Sequence, residues 1–444
     1  MKSILLKLSK LLSVRMLAIG LTFIQTIVIT RVFGSEVFGL LSIALSVSAL
    51  LVLILSAGLD QVLMRDIARI GKHRIANSKR WQSIWRLVKY YIIPLVSFVV
   101  LIGVLLVTFT NVFNEYSLTI LAAILMLPFV LSRKYLESIC LGTKQVVRSI
   151  TGSQLVYPVL MIIACIYVWY MGINPDVKSV SLTYVFAILG SLIASILMIK
   201  GTLKSICKKN TNSISKDDDN ADLFESLGDK ALLKSGMHFS LVSLGFVLGQ
   251  HIDVLLTGLL STPENVALVR ISARVAEVAG LMRAIILMQY KPIIAEAYGK
   301  SDDKVLQNHI STMVKIFVFT GIPITLILFI FAEQVMMVFG PEFILGANVM
   351  RIYLIGVVFL LLCGPCNSTL ALTGNEQKAS KYIWIAISIN ILLDIILIPI
   401  WGALGCAIAN ATSMVILGII SVSAVRRILH IETSILIFFK LKRY

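Results

Sequence analysis

The chain has 444 residues, of which 58% are hydrophobic and 14% charged, with a net charge of +17 at neutral pH. Soluble domains carry about 25% charged residues, so the composition excludes a soluble globular protein and points to an integral membrane protein built of helices. The positive charge reads as topology and not as nucleic-acid binding: 34 of the 40 Lys and Arg residues lie on one side of the expected spans, two (Arg31 and Lys178) on the other, and four within spans.

Apolar runs of about 20 residues, separated by short loops, leave room for about twelve membrane spans. They are expected near 11–30, 38–59, 91–110, 116–138, 150–171, 180–200, 236–260, 265–289, 312–332, 346–372, 380–400 and 402–425. An even count with the basic loops inside predicts that both termini are cytoplasmic. Residues 1–15 form a basic amphipathic entry along the inner leaflet. The next run holds Gln25 and reaches Arg31 without a small-residue cleavage site, so it reads as a first span and not as a signal peptide. A tight outer turn at Thr30–Gly34 leads into the second span, which ends near Asp60. The basic inner stretch MRDIARIGKHRIANSKRW follows, suited to lipid headgroups. Residues 201–233 are too polar to form a core and read as a flexible cytoplasmic linker. They separate an N-terminal six-helix lobe, 1–200, from a C-terminal one, 234–444, that ends in a basic cytoplasmic tail.

The two lobes read as a repeat. A shift of 228 lays Arg31–Lys72 over Leu259–Lys300 with nine identities in forty-two positions, among them Glu36/Glu264, Gln61/Gln289 and the closing Gly71-Lys72/Gly299-Lys300. Six spans per lobe give both the same orientation, which predicts a parallel pseudo-twofold repeat about the membrane normal. The shift also exposes a difference: Arg270 and Arg274 stand opposite Ser42 and Ser46, and Asp253 opposite Gln25. A cavity between the lobes is then expected to be electrically lopsided.

Charges at membrane depth are costly and mark pathways or functional sites. Arg270, Arg274 and Glu277 fall within about 60° of one another on a helix, which predicts a cationic face for an anion. Asp253 lies at the depth of Arg270. One reading pairs it with Arg270 or Arg274 to lock two helices; the other leaves the arginines to a phosphate while Asp253 or Glu277 titrates with transport. Arg283, near the inner boundary, is expected to snorkel to the headgroups. Arg351 is a second cavity candidate. Asp394, with Asn390 one turn earlier, is a second candidate for ion coupling. The CxxC of Cys363 and Cys366 lies in an apolar helix and reads as small residues at a proline kink. The histidines lack ligand spacing, so no metal is assigned. Pro94, Pro128, Pro158, Pro323, Pro365 and Pro399 interrupt spans and are expected to kink them. With no phosphate-binding GxxxxGK[ST] loop, no catalytic motif in the loops and no large outer loop, the chain reads as a secondary transporter, not an enzyme, without a cofactor.

Three stretches resemble the polysaccharide-transporter (oligosaccharide flippase) family of the MATE-like (MOP) exporter superfamily. The first is Arg31-x-x-Gly34-x-x-x-Phe38-Gly39 followed by Gly58-Leu59. The second is Phe339-Gly340-Pro341-Glu342-Phe343 with Leu370-Ala371-Leu372-Thr373-Gly374. The third is Asn390 followed by Ile398-Pro399-Ile400-Trp401-Gly402-Ala403-Leu404-Gly405-Cys406-Ala407-Ile408-Ala409, with Cys406 where that family commonly has Ala. The resemblance implies an all-α MATE-like fold of twelve helices in two lobes. It also implies a flippase that moves undecaprenyl-diphosphate-linked oligosaccharide units, of O-antigen or a similar surface polysaccharide, to the outer leaflet of a bacterial cytoplasmic (inner) membrane. Implied partners are H⁺ or Na⁺ as coupling ion, membrane lipids, and the polysaccharide polymerase and chain-length regulator. Arg31, at the outer end of the first span, either receives the diphosphate there or caps the turn.

Overall fold

The computed structural model describes residues 2–70, 79–109, 117–143, 145–207, 229–299 and 303–437. Most of the expected linker and all of the tail beyond 437 lie outside them. The described chain is mostly helical, and the described residues of each expected segment fall mainly on helix, with 346–372 broken at Gly364. By length and apolar composition alone eight helices suffice to cross a membrane, or nine if the pair Leu118–Leu125 and Leu127–Gly142, bent by 44°, counts as one. The difference from twelve has physical causes. The first two expected spans run together in α1 (Lys2–Ser56), α8 (Val156–Tyr170) has only 15 residues, and α11 (Pro263–Gly299) carries the intramembrane charges.

Two compact units divide the chain, Met1–Val247 and Leu248–Tyr444. Their boundary falls inside α10 (Asp229–Leu260), because the start of that helix packs on the first unit.

In the first unit, α1 breaks at Gly34, whose φ of 77° belongs to a region that side-chain-bearing residues avoid, so the turn between the first two expected spans is a single residue. After α2 (Leu59–Ile70), α3 (Lys79–Leu87), α4 (Ile93–Phe109), α5 (Ser117–Leu125), α6 (Leu127–Gly142), α7 (Val146–Ile150) and α8, the unit closes with α9 (Val177–Cys207). One part of its core is built of Leu59, Val62, Leu63, Ile67, Ile84, Leu127 and Leu232, all essentially inaccessible. Beside it Asp60 is buried at the start of α2, 3.5 Å from Lys134 Nζ, which also donates to Ser56 Oγ at 3.0 Å. Gly58, with φ 68°, lies so close to the Gly236 carbonyl that a Cβ would overlap it. Gly58→Ala is therefore expected to cost about 2 kcal/mol or more from strain and overlap together, seen as a lower Tm of the purified protein. An unchanged Tm would show that α10 yields there without penalty.

Three prolines act through the backbone ladder. Pro94, Pro158 and Pro323 each follow a five-residue π turn, at Val88–Ile92, Thr151–Leu155 and Phe317–Gly321. Proline has no N–H to return and its ring crowds the carbonyl four residues back, so the ladder slips by one residue just upstream. The first and last of these turns are 229 residues apart, within one residue of the repeat shift. The repeat thus extends to backbone irregularities.

The second unit continues with α11, α12 (Asp303–Ile316), α13 (Ile322–Ile330), α14 (Ala332–Phe339), α15 (Ala347–Cys363), α16 (Cys366–Leu372), α17 (Glu376–Trp401) and α18 (Ala403–Leu429). After α18 the segment 430–437 is packed into the unit, with Ile431, Glu432, Thr433, Ser434 and Ile437 buried. Arg426 holds both carboxylate oxygens of Glu432, at 2.7 and 3.0 Å. Gln307 exchanges two hydrogen bonds with the Glu432 backbone, at 2.9 and 2.8 Å, and the Ile435 N–H donates to the Leu362 carbonyl at 2.8 Å. This strap ties α12, the end of α15 and α18 together.

Burial alone would raise the Glu432 carboxyl, but hydrogen bonds from Arg426 and Ser434 outweigh it and hold the group below the usual carboxylate range. A depressed pKa contributes stability above the unfolded value, about 4.3, that is lost as pH falls through the folded value. Glu432→Gln is expected to cost about 2 kcal/mol at pH 7 by leaving Arg426 without its anion. Amide exchange across 431–437 should rise; unaltered exchange would mean that apolar packing alone holds the strap.

Candidate functional site

The site begins with two spacings of four residues on neighbouring helices. Asn390 and Asp394 share a face of α17, and Cys406 and Asn410 share a face of α18. The two helices approach closely because the start of α18 is small: a Cβ on Gly405 would strike the Leu397 backbone, and Ala403, Ala407 and Ala409 are buried at that end. Asp253 enters from α10 and Tyr353 from α15.

Together these side chains form one buried network. Asn390 Nδ2 donates to Asp253 Oδ1 at 2.7 Å and to Asp394 Oδ2 at 3.0 Å. Asn410 Nδ2 and Tyr353 Oη donate to Asp253 Oδ2 at 2.8 and 3.1 Å. Tyr353 Oη also lies 3.5 Å from Cys406 Sγ. One ligand atom each from Asp253, Asp394 and Cys406 fall within 4.8 Å of one another. Asp394 is fully inaccessible and Asp253 nearly so.

Two carboxylates this close, out of water and without a basic partner, require positive charge: a proton or a cation. The unsatisfied atoms indicate where it belongs. Asp394 Oδ1, Asn390 Oδ1 and Asn410 Oδ1 are buried without a hydrogen-bond partner, and all three are oxygens with lone pairs to give. Such a set fits a proton or a hard monovalent cation, to which a thiol adds little. When bound, the ion would cancel one of the two negative charges, and Asp253, Asp394, Asn390 and Asn410 would hold it.

The arrangement corrects one expectation. Asp253 does not pair with Arg270 or Arg274; its acceptor positions are taken by Asn390, Asn410 and Tyr353. The reason is angular. His251, two residues earlier and about 200° around the helix, is the α10 residue that feels the charges of Arg270 and Arg274, so Asp253 is turned away from them.

The remaining candidates scatter. Arg270 is half-buried, and Arg274, 38% exposed, lies 3.5 Å from Glu277, itself 56% exposed. Two arginines against one acid leave the α11 face net positive. Arg31 is exposed three residues before the Gly34 break. Arg351 is engaged by its own surroundings: Asn348 Oδ1 at 2.9 Å, Glu333 Oε1 at 3.2 Å and the Phe329 carbonyl at 3.4 Å. It clamps α13, α14 and α15 and does not present an open fork to a ligand. Arg283 is half-buried beside Cys363 and Cys366, and its Nε has no partner, which is not the snorkelling geometry expected.

Sequence reasoning overlooked Tyr353 and Asn410 as site residues. Asn410 had a signal, its spacing of four from Cys406 inside the small-residue motif; a lone tyrosine in an apolar helix had none.

A family model described as polysaccharide biosynthesis protein matches residues 5–288, and one described as MatE matches residues 239–396. Among curated proteins, the probable low-salt glycan biosynthesis flippase Agl15 of Haloferax volcanii is 22% identical over 175 residues, 39% of this chain. The match spans 37% of that relative's length. The fold is shared with solved structures of low identity. The lipid II flippase MurJ in an inward closed conformation gives a TM-score of 0.67 at 14% identity, covering 94% of this chain and 87% of that one. An inward-facing multidrug resistance MATE family transporter of the MOP superfamily gives 0.69 at 16% identity, with 91% and 93% covered.

Proposed function

The chain belongs to the polysaccharide biosynthesis protein family, and from that premise we propose that it is a flippase for lipid-linked glycans. Its cargo is an undecaprenyl-diphosphate-linked oligosaccharide, the repeat unit of O-antigen or a similar surface polysaccharide. The cargo moves from the inner to the outer leaflet of a bacterial cytoplasmic membrane by alternating access, coupled to H⁺ or Na⁺.

The observation that carries the reading is the net positive face of α11. A diphosphate crossing hydrocarbon loses its hydration shell, and guanidinium groups replace it with charge-assisted, bidentate hydrogen bonds. Arg270 and Arg274 are the residues we assign to it, with Arg31 as the contact at the outer end of the first span, just before the Gly34 break of α1. Glu277 moderates the charge of Arg274, so that the anion is held and then released. Arg351, already engaged, is left out.

Ion coupling is assigned to Asp253 and Asp394. An alternating-access carrier needs an element whose state depends on the ion, and a buried dicarboxylate cluster joining α10, α15, α17 and α18 meets that need. With an ion between the two carboxylates the four helices pack tightly; with both charges bare they repel.

The test is reconstitution in liposomes with a diphosphate-linked oligosaccharide, reading its exposure to a membrane-impermeant glycosidase. An imposed Na⁺ or proton gradient should accelerate translocation. Translocation that is indifferent to both gradients sinks the coupling; no translocation of this lipid class sinks the function.

A further inference from the structure

The repeat invites a comparison within the chain. The ion cluster draws on the first, fourth, fifth and sixth expected spans of its half: Asp253, Tyr353, Asn390 with Asp394, and Cys406 with Asn410. The corresponding spans of the first half also enclose a polar core, of different chemistry.

Gln25 stands opposite Asp253 under the shift of 228, and it is 8% exposed, so it too points inward. The Tyr157 hydroxyl, buried, lies beside Gln25, and Tyr184 lies beside Ser48. Into this core comes Arg133 from α6. Its guanidinium lies 5.6 Å from the Tyr157 ring centroid, and Nη1 donates to Ser191 Oγ at 3.3 Å. Ser191 is fully buried and passes its own hydrogen to the Ile188 carbonyl. Both tyrosines feel the charge of Arg133. Among the described residues no carboxylate pairs with it.

Arg133 lies near the end of the expected span 116–138, where it was counted only toward the charge asymmetry. The helix carries it into the unit, and a long side chain on a helix leans back toward the N-terminal end, here toward Tyr157, which lies beside Gln25. Guanidinium suits the position better than ammonium: it is flat enough to lie on an aromatic face, it is weakly hydrated, and it donates in its own plane.

The two cores are thus opposites. One holds two carboxylates and no base; the other holds one guanidinium and no acid. We propose that Arg133 is a resident cation, taking in the first unit the electrostatic place that an exchangeable ion takes at Asp253 and Asp394 in the second, so that the protein has one coupling-ion site per chain. A free cation is repelled from the Arg133 core and finds there no oxygen with formal charge. The first unit keeps its positive charge throughout the cycle, and the second alone changes state. This rests on the ion-coupling reading above.

The experiment is equilibrium binding of radiolabelled Na⁺ to the full-length protein in lipid nanodiscs, with proton uptake or release followed by a pH indicator in the same samples. The wild type should bind one ion per chain, and Asp253→Asn combined with Asp394→Asn should bind none. Arg133→Gln should keep the count at one while slowing translocation by about tenfold or more, and Arg133→Lys should recover much of that loss. Gln25→Asp together with Arg133→Gln supplies a charged oxygen and removes the resident charge, and should raise the count toward two. A wild type that binds two ions, or a site that survives the double Asp substitution, overturns the proposal while leaving ion coupling intact. So does an Arg133→Gln protein that translocates normally. A wild type that binds neither Na⁺ nor an exchangeable proton refutes the coupling reading itself, and the resident-cation role falls with it.

Discussion

Asp253→Asn is expected to leave the protein folded in the membrane and to abolish ion-driven translocation, a loss of about a hundredfold or more. Asparagine preserves the volume of the carboxylate but presents one oxygen and one NH₂ where Asp253 presents two oxygens. The NH₂ then meets a donor, either Asn390 on one side or Asn410 and Tyr353 on the other. The clash is relieved on the second side: Asn410 rotates to accept through its unpartnered Oδ1 and the Tyr353 hydroxyl turns its hydrogen away, while Asn390 keeps both of its donations. The hydrogen bonds are thereby restored while the charge is gone. Asp394→Asn is expected to act likewise, since its Oδ1 also lacks a partner. Translocation in proteoliposomes with and without an ion gradient, beside protein yield in the membrane, separates the two effects. If Asp253→Asn removes the protein from the membrane, the cluster is a structural lock and its ion role is wrong.

Arg270→Ala and Arg274→Ala form the second large prediction. Each is expected to abolish complementation of a strain lacking its own flippase, with normal protein levels. A charge-assisted hydrogen bond to an anion contributes about 1.5–3 kcal/mol, and two shared with a diphosphate amount to a loss of hundreds-fold when broken. For Arg274→Ala stability should change little, because among the described residues the ion pair it loses, with Glu277, is a surface one. Arg270→Lys keeps the charge but not the fork, and should fall between wild type and alanine. Intact surface polysaccharide in either alanine strain would remove the α11 face from the pathway. Glu277→Gln supplies a contrast: with the acid gone the anion is held harder, so binding should tighten while turnover slows.

The two predictions draw on different parts of the chain, and their legibility differs. The arginine face was read from one helix, by spacing alone, and that reading remains the basis of the proposal. The Asp253–Asp394 site was half read: each acid was singled out as a candidate for ion coupling, but nothing in the sequence placed the two together. Asp253 was offered Arg270 or Arg274 as a partner on the strength of equal depth, and depth is only one of two coordinates. The rotation of α10 decided otherwise, turning Asp253 to Asn390 and Asn410 and leaving His251 on the side of the arginines. Arg351 shows the converse. Its position near a helix end suggested a ligand, but Glu333 and Asn348 hold it.

What recurs along a helix or follows from solvent was readable one residue at a time: the membrane character, the helical segments and the small-residue start of α18. Each is a local property, carried by 20 apolar residues in a row or by a period of 3.6, and survives without knowledge of neighbours. The tertiary structure decided which buried polar groups meet. Asp253 and Asn410 are 157 positions apart, and Arg133 and Ser191 are 58. Their meeting depends on how each helix is rotated about its axis, and that rotation is set by the packing of side chains from several helices at once. A few tens of degrees separate a carboxylate held by amides from one paired with arginine, and no single helix records that angle.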